Sequence, residues 1–334
     1  MEYAGIGVIG TGLMGSVHAK VYAQLPNAHL VAIADVNQER LERVSEALGV
    51  QGFTDYNELL ERKDIDAVSI CVPDHLHRDP TIVAADQGKH ILLEKPIATN
   101  LEDAQAIIAA CQRNGVKLMV GHLLRFDPRY ANVKEAIDRG DLGEIIHISA
   151  HRNSPVTEGP ARYAPGTSLT LHVVVHDLDL IHWYANSQPV RVYAERVREI
   201  LKEKEMDDAI SALLKFESGM VANLEYSWAL PEKFPTKLDA RMEIIGTKGA
   251  AYIGAYPEQG MFIVDHEGIS SPDIYHWPEV RGKLQGDVRE ELIQFTDCVL
   301  ADQDPPVTGE EALQAVRLAL SIEQSIEAGK PISM

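Results

Sequence analysis

The chain has 334 residues, of which 45% are hydrophobic and 24% charged, and its formal net charge is −19 at pH 7. This length predicts two domains, and the composition is typical of a globular protein with a sizeable buried core. The negative charge disfavours nucleic acid and anionic membranes as partners, because their phosphates would be repelled. No apolar run reaches the roughly 18 residues that a membrane span requires.

The three cysteines, Cys71, Cys111 and Cys298, are far apart and form no CxxC pair. Such spacing predicts neither a disulfide framework nor a zinc knuckle, and it favours a reducing cytoplasm. The first residues, MEYAGIGVIG, show no basic leader followed by a separate apolar segment, so we expect no export signal.

The first 120 residues alternate short β-branched runs with amphipathic helical stretches. This order predicts an α/β domain in which a doubly wound parallel sheet carries helices on both faces. We predict strands over residues 6–9, 30–34, 67–70, 90–93 and 117–120. A change of character between Gly121 and Pro128 divides the chain into a first domain over 1–121 and a second over 122–334.

The second domain contains longer strand patterns, such as VRVYAERVR and MVANLEYSW, in which polar and apolar residues alternate. Alternation of this kind predicts an α+β domain with a large, open, mostly antiparallel sheet. Helices are predicted over 287–301 and 310–328. An open sheet has a face to cover, so we expect a homodimer or homotetramer formed through it.

The segment GVIGTGLMGSVHA places Gly10, Gly12 and Gly15 in GxGxxG spacing, after a strand and at the start of a helix. The first glycine permits a tight turn, the second lets the backbone approach a pyrophosphate, and the third lets helix pack on strand. Asp35 ends the second predicted strand, where a carboxylate can bind ribose hydroxyls. The combination predicts dinucleotide binding, with a glycine turn that binds no ligand as the alternative. The neighbouring cofactor-binding residues are expected to be Thr11, Leu13, Met14 and Val36.

Asp35 also bears on which dinucleotide is bound. Val36 and Asn37 follow it, and no arginine occurs before Arg40. A 2′-phosphate would therefore meet a carboxylate and no obvious cation. The sequence predicts NAD rather than NADP.

The segment HILLEKPIATN presents Glu94, Lys95 and Pro96 at the carboxyl end of a predicted strand, where open α/β sheets bind their ligands. Pro96 fixes its own φ and disfavours helical geometry at Lys95. A rigidly held ammonium suits a developing alkoxide, whereas an ordinary solvated lysine is the alternative.

The segments GTGLMG, CVPDHLH and EKP, in this order and spacing, resemble the glucose–fructose oxidoreductase, inositol dehydrogenase and rhizopine-catabolism family. The resemblance spans the chain, and it implies an NAD-binding Rossmann domain followed by a domain for substrate binding and oligomerisation. It implies an NAD-dependent dehydrogenase that transfers a hydride between nicotinamide and a secondary hydroxyl of a sugar, sugar derivative or cyclitol. Lys95 is then the catalytic lysine. The cofactor site is expected to extend to Cys71, Val72, Pro73, His75, His77, Glu94, Lys95, Pro96, His122 and Arg125.

The segment SLTLHVVVHDLDLIHW contains His172 and His176, which share one face if the segment is helical, with Asp179 near that face. Such a pair can chelate zinc, or it can be structural and half buried. No cysteine or glutamate completes an evident metal site, so we expect no metal. The resemblance favours a third role, in which His176 is the acid/base. His172 stands where the family usually has aspartate, and this leaves open how the two histidines divide the catalytic roles.

Further polar residues are candidates for binding substrate: Arg125, Arg152, Tyr163 and Asp179, together with His176. Solvated or structural positions are the alternatives for each of them. Two other functions stay open, an NAD-assisted glycosidase or lyase with no net redox change, and a non-catalytic dinucleotide-binding regulator. The presence of Lys95 and His176 argues against the regulator.

Overall fold

A computed structural model describes residues 3–158, 167–234, 237–254, 263–265, 268–270 and 273–334 of the chain. The chain forms two compact units, residues 1–127 with 274–316, and residues 128–273 with 317–334. The division after Asp127 lies close to the predicted boundary. The sequence-based division assigned residues 274–316 to the second domain, whereas here they pack with the first unit.

The first unit is built on a six-stranded parallel sheet with the strand order β3-β2-β1-β4-β5-β6. All residues of β1 and β4 are buried, as is typical of parallel strands that are covered on both faces. The predicted doubly wound sheet is confirmed. The direction of chain winding reverses between β1 and β4, and the carboxyl ends of strands at such a point form a ligand crevice. The strands are β1 (Ala4–Ile9), β2 (Ala28–Ala34), β3 (Gln51–Phe53), β4 (Ala67–Ile70), β5 (His90–Glu94) and β6 (Leu118–Gly121).

Nine α-helices are described, and the last two begin and end close to the predicted positions. Asn37 and Asn100 cap two of them, since each side chain accepts a backbone N–H three residues ahead. In chain order the helices are α1 (Leu13–Tyr22), α2 (Gln38–Leu48), α3 (Tyr56–Leu60), α4 (Arg78–Asp86), α5 (Leu101–Asn114), α6 (Pro128–Asp138), α7 (Val175–Ala185), α8 (Asp287–Ala301) and α9 (Gly309–Ala328). Within the described ranges, no helix combines the length and apolar character that a bilayer crossing needs.

Helix α8 explains why the late segment belongs to the first unit. It packs against α1 and β1 and fully buries Val288, Leu292 and Phe295. The segment after it continues this packing, since the Val120 N–H donates to the Val307 carbonyl at 3.2 Å. An apolar helix face predicts that the helix is buried, but it does not identify the domain against which the helix packs. The packing of residues 274–316 with the first unit was therefore not predicted.

The second unit contains a seven-stranded sheet in the order β12-β11-β7-β10-β9-β8-β17. Only β7 and β10 are parallel neighbours among its described strands. Its burial alternates along β9, where Ile210 and Leu214 are inside and Leu213 is outside. The predicted open, mostly antiparallel sheet is therefore confirmed. Its strands are β7 (Ile145–Pro155), β8 (Pro189–Val197), β9 (Ala209–Phe216), β10 (Val221–Leu230), β11 (Asp239–Gly246), β12 (Ala250–Ile253) and β17 (Ile332–Ser333). Two short pairs also occur, β13 (Ile263–Asp265) with β14 (Gly268–Ser270), and β15 (Glu279–Val280) with β16 (Lys283–Leu284).

A buried ion pair fastens α7 to this sheet. Asp177 accepts hydrogen bonds from Arg152 Nε at 2.9 Å and Nη2 at 3.0 Å, and from Tyr226 Oη at 3.0 Å. All three residues are buried. Arg152 was a predicted substrate residue, but its guanidinium is used in holding α7 to β7. This ion pair accounts for the burial of Arg152 without a bound substrate.

Replacing Asp177 by asparagine should destabilise the protein by about 3–5 kcal/mol, because Arg152 would remain buried without its counter-ion. Urea unfolding followed by circular dichroism measures this loss. Asp138→Asn is the matched control, since Asp138 forms an exposed pair with Lys134 and should cost less than about 0.5 kcal/mol. Equal unfolding midpoints for the two variants would contradict the structural role of Asp177.

Candidate active site

The glycine turn between β1 and α1 has three glycines in three different situations. Gly10 has a φ of +86°, and a Cβ there would lie 2.6 Å from the Cys71 carbonyl oxygen. A Cβ on Gly15 would lie 1.7 Å from the Gly10 carbonyl oxygen, so α1 can approach β1 only at glycine. Gly12 differs, because the nearest atom to its added Cβ is Arg40 Nη1 at 3.5 Å. The backbone at Gly12 is thus open for a pyrophosphate, and the turn fits a dinucleotide.

Asp35 lies at the carboxyl end of β2 and is tied to the turn. Its Oδ2 accepts the Thr11 N–H at 2.7 Å and the Thr11 hydroxyl at 2.9 Å, and its Oδ1 accepts the Asn37 N–H at 2.8 Å. Arg40 Nη1 is 3.8 Å from Oδ2. The expectation that a 2′-phosphate would meet no obvious cation is therefore wrong, because the first turn of α2 brings Arg40 back toward Asp35. Thr11, Asp35 and Arg40 therefore lie together next to the glycine turn, where the sequence predicts that the ribose binds.

A cavity of about 580 Å³ opens beside the glycine turn, and Gly12, Leu13 and Ser16 help to line it. Its ionisable lining residues are Lys20, Arg40, Arg43 and Glu279. Three positive charges against one negative charge make this a local anion site on a chain whose net charge is −19. The positions of Lys20 and Arg43 in this cavity were not predicted. The signal for them was that both are basic residues on the helices that follow the glycine turn and Asp35. Met14 and Val36 border the same strand ends, half-buried and exposed respectively.

The loop after β4 is held to the corner after β5 by one buried histidine. The ring nitrogens of His77 lie 2.8 Å from the Pro96 carbonyl oxygen and 3.0 Å from the Val72 carbonyl oxygen. Burial lowers the pKa of His77 despite these two acceptors, and so favours its neutral ring. His77 thus shapes the predicted loop, in which Cys71 and Val72 are half-buried and Pro73 and His75 are exposed.

Lys95 follows β5 directly and is half-buried, with Glu94 and Pro96 buried on either side. The Lys95–Pro96 peptide bond is cis. The Lys95 N–H donates to Glu94 Oε2 at 3.2 Å. The structure therefore places Lys95 in the predicted position, at the carboxyl edge of the parallel sheet of the first unit.

His122 and Arg125 follow β6 and are both buried. Arg125 Nη1 is 2.8 Å from Glu311 Oε1, and Glu311 also accepts the Thr308 N–H. Burial raises the pKa of Glu311, but the Arg125 charge and the Thr308 bonds outweigh it and lower that pKa. The ion pair with Glu311 thus fixes the Arg125 side chain within the first unit, a few residues after β6.

The histidine segment of the second unit is helical but not α-helical throughout. Thr170–Val174 form a π-helical turn that precedes α7. The wider turn contains His172, whereas His176 lies in the first turn of α7. The segment is thus helical as expected, and the four-residue spacing leaves the two histidines about one turn apart in either type of helix. π turns of this kind occur frequently at functional sites.

His172 and His176 are both half-buried, and Asp179 is 1% exposed. The next aspartate toward the N-terminus, Asp177, is the partner of Arg152 and fixes the helix immediately after His176. Tyr163, a predicted substrate residue, lies outside the described residues.

Changing Gly12 to alanine should weaken NAD⁺ binding by roughly tenfold or more, because the methyl group would stand where the backbone must approach the pyrophosphate. Isothermal titration calorimetry measures this affinity. The melting temperature should stay close to that of the wild type, since the new Cβ meets no atom closer than 3.5 Å. Gly15→Ala gives the contrast, because its Cβ would clash with the Gly10 carbonyl and destabilise the fold. An unchanged affinity in Gly12→Ala would count against this cradle.

Known proteins show the same combination. Residues 4–122 match an oxidoreductase family with an NAD-binding Rossmann fold, and residues 130–252 match the GFO/IDH/MocA C-terminal domain. The chain is 31% identical to scyllo-inositol 2-dehydrogenase (NAD(+)) of Bacillus subtilis, over 98% of this chain and 95% of that protein. It is 28% identical to 2,7-anhydro-N-acetylneuraminate hydratase of Mediterraneibacter gnavus, over 85% of this chain and 79% of that protein.

Among solved structures, scyllo-inositol dehydrogenase of Lactobacillus casei with bound NAD(H) and scyllo-inositol is similar, with a TM-score of 0.86. It is 26% identical in sequence, and the similarity covers 99% of both chains. The chain therefore belongs to the glucose–fructose oxidoreductase, inositol dehydrogenase and rhizopine-catabolism family of NAD-binding oxidoreductases, which act on inositols and sugars.

Proposed function

We propose that this protein is an NAD-dependent dehydrogenase that oxidises a secondary hydroxyl of an inositol-like cyclitol or a related sugar. The observation that carries the proposal is Lys95 at the carboxyl end of β5, beside a glycine turn and an Asp35 carboxylate that fit a dinucleotide. The similarity to scyllo-inositol 2-dehydrogenase over almost the whole chain supports the substrate class.

Lys95 and His176 divide the work on the substrate oxygen in this proposal. His176 accepts the hydroxyl proton as general base, and the Lys95 ammonium stabilises the negative charge that develops on the same oxygen. Bound NAD⁺ supplies the acceptor for the hydride. His172 hydrogen-bonds a neighbouring hydroxyl of the substrate, which an imidazole does as donor or acceptor without a fixed charge.

Asp35 supports NAD as the preferred cofactor. Its Oδ1 receives one backbone N–H and retains capacity to accept a ribose hydroxyl, while a 2′-phosphate would be repelled by the carboxylate. Arg40 is positioned to offset part of this repulsion. We therefore expect a preference for NAD that is limited rather than absolute.

The likeness to a hydratase favours a second candidate, in which the same residues serve a reaction with no net oxidation. Absorbance at 340 nm separates the two, with scyllo-inositol, myo-inositol and a panel of sugars as substrates. NADH that accumulates in proportion to product indicates a dehydrogenase. Product formed without NADH indicates the second candidate.

Lys95→Ala and His176→Ala should each lower kcat by about 10²-fold or more, because each removes a group that acts on the reacting oxygen. NAD⁺ should still bind both variants, as judged by quenching of tryptophan fluorescence. Initial rates at 340 nm with the best substrate of the panel measure the loss.

Lys63→Ala and His29→Ala are matched controls, since both residues are exposed and neither lies at the glycine turn or at the carboxyl end of a strand. They should retain wild-type turnover. A rate close to wild type in Lys95→Ala or His176→Ala would defeat the assigned role.

We also propose that a second copy of this chain covers the outer face of the seven-stranded sheet. One row of facing residues crosses the sheet in register, from Tyr252 through Glu243, Ser149, Asn223 and Leu213 to Tyr193. Tyr252, Leu213 and Tyr193 are 70%, 50% and 37% exposed. Large apolar groups on an open face support a protein partner, and a symmetric homo-oligomer is the commonest kind.

Leu213→Glu should convert the oligomer to a monomer, because a charge would be buried in the middle of this row. Light scattering coupled to gel filtration measures the mass. Val280→Glu is the control, since Val280 is 54% exposed on the short β15 strand of the first unit and should leave the mass unchanged. An unaltered oligomer in Leu213→Glu would place the interface elsewhere.

A further inference from the structure

A cluster of ionisable side chains lies buried behind the glycine turn, and the proposed reaction does not use it directly. His18 on α1 and Glu291 on α8 are 0% exposed, and Glu94 at the end of β5 is 7% exposed. Burying three ionisable groups is costly unless they neutralise one another or lose their charge. The arrangement of this cluster therefore requires a physical explanation.

His18 joins the ends of two neighbouring strands. Its Nδ1 is 2.7 Å from Ser69 Oγ and 3.4 Å from Cys71 Sγ, both at the end of β4. Its Nε2 is 3.3 Å from Glu94 Oε1 on β5. A ring protonated on both nitrogens can donate to Ser69 on one side and form an ion pair with Glu94 on the other. The contacts thus favour an imidazolium paired with a carboxylate.

The pKa shifts agree with this charge distribution. Burial works against the charged ring, but Cys71 and Glu94 outweigh it and raise the pKa of His18 well above its ordinary value. Burial likewise works against ionised Glu94, but the His18 hydrogen bond and charge lower the pKa of Glu94. For Glu291, burial together with the Glu94 charge raises the pKa well above its ordinary value.

Glu291 is thus a neutral acid beside an ion pair. Neither of its carboxyl oxygens has a hydrogen-bond partner among the described residues. Tyr22 also faces the cluster from α1, and burial raises its pKa, so it is neutral too. The pair of His18 and Glu94 is therefore the charged part of this interior.

His18, Cys71 and Glu94 also offer the atom types that bind metals. The geometry disfavours a metal site, because the ring contacts its two neighbours through opposite nitrogens. A single ion would bind only one nitrogen, and the ring would have to leave Ser69 or Glu94. The present contacts satisfy an ion pair without any such rearrangement.

Glu94 connects the pair to the candidate catalytic lysine. While Oε1 faces His18, Oε2 accepts the Lys95 N–H at 3.2 Å. The next residue, Pro96, has no N–H. The Lys95 N–H is therefore the backbone donor after β5 that the Glu94 carboxylate can bind. The orientation of the Lys95 backbone is in this way linked to the carboxylate, and the carboxylate to the imidazolium.

We propose that His18 and Glu94 are a positioning pair for Lys95, in which the imidazolium fixes the carboxylate and the carboxylate fixes the backbone that presents the ammonium. This inference rests on the proposed function of Lys95. Neither residue touches the substrate; both act through the position of the lysine. Displacement of a catalytic group by about 1 Å can cost on the order of 10²-fold in rate.

Glu94→Gln and His18→Gln should each lower kcat roughly 10- to 100-fold, while in His18→Gln the affinity for NAD⁺ changes much less. Glu94→Asp keeps the charge and should recover part of the loss seen in Glu94→Gln. His29→Gln, an exposed histidine exchanged in the same way, should retain wild-type kcat. If His18→Gln does not fold, as judged by its melting curve, the comparison of Glu94→Gln with Glu94→Asp carries the test.

The pH dependence of kcat supplies a readout that a purely structural role would not change. Because the pKa of His18 is raised, the pair is intact at neutral pH and is lost as the pH rises through that pKa. Because the pKa of Glu94 is lowered, the carboxylate stays ionised until the pH falls through that lowered pKa, and the pair is lost only there. We expect the part of the alkaline limb of kcat that His18 causes to move to lower pH in Glu94→Gln and to be absent in His18→Gln, where only the loss of the Lys95 ammonium limits kcat at high pH. Wild-type kcat, or the wild-type alkaline limb in both variants, would overturn the proposal.

Lys95→Ala, measured beside these variants, separates two kinds of failure. A near-normal rate in Lys95→Ala means that the proposed function of the lysine is wrong. A large loss in Lys95→Ala with wild-type kinetics in His18→Gln and Glu94→Gln means that the positioning pair alone is wrong.

Discussion

The close approach of helix α1 to strand β1 is the constraint on which the rest of the first unit depends. It is possible only because Gly15 has no side chain, since a Cβ there would lie 1.7 Å from the Gly10 carbonyl oxygen. This approach directs the first turn of α1 toward the open backbone at Gly12. The same approach brings His18, one turn further along, to within hydrogen-bonding distance of Ser69 and beside Glu94. One steric requirement thus shapes both the dinucleotide cradle and the buried cluster behind it.

One cavity of this protein is positively charged although the net charge of the chain is negative. The chain carries a net charge of −19, yet Lys20, Arg40 and Arg43 line the cavity beside the glycine turn. This cavity therefore attracts anions although the chain as a whole is negatively charged. In the interior, negative charges repel one another. Glu94 and Glu291 lie close together, so only one of the two carboxyl groups can remain ionised at low cost.

The sequence predicted the parts of the site that depend on local spacing. Gly10, Asp35 and Lys95 stand where the chain meets the end of a strand, and strand ends are visible as boundaries of apolar runs. Fold class and both closing helices followed from the same periodicity. The direction of α2 brings Arg40 back toward Asp35, and no pattern of residues indicated that contact.

Contacts between distant segments could not be predicted in this way. Arg152 and Asp177 are 25 residues apart, and neither shows in isolation that it is buried with the other. Glu291 lies on a late helix that packs with the first unit, so its place beside Glu94 depends on the tertiary fold. The π turn over Thr170–Val174 was not predicted for a third reason, since the period of the apolar residues does not distinguish a π turn from an α turn.

The central proposal is that the Lys95 ammonium and the His176 imidazole act on one substrate oxygen. A crystal structure of the protein with NAD⁺ and the cyclitol that it oxidises fastest tests this most directly. The account predicts that Lys95 Nζ and a ring nitrogen of His176 both lie within about 3.2 Å of the same substrate hydroxyl oxygen. A complex in which the two side chains contact different parts of the substrate, or in which either is turned away from it, would contradict the account.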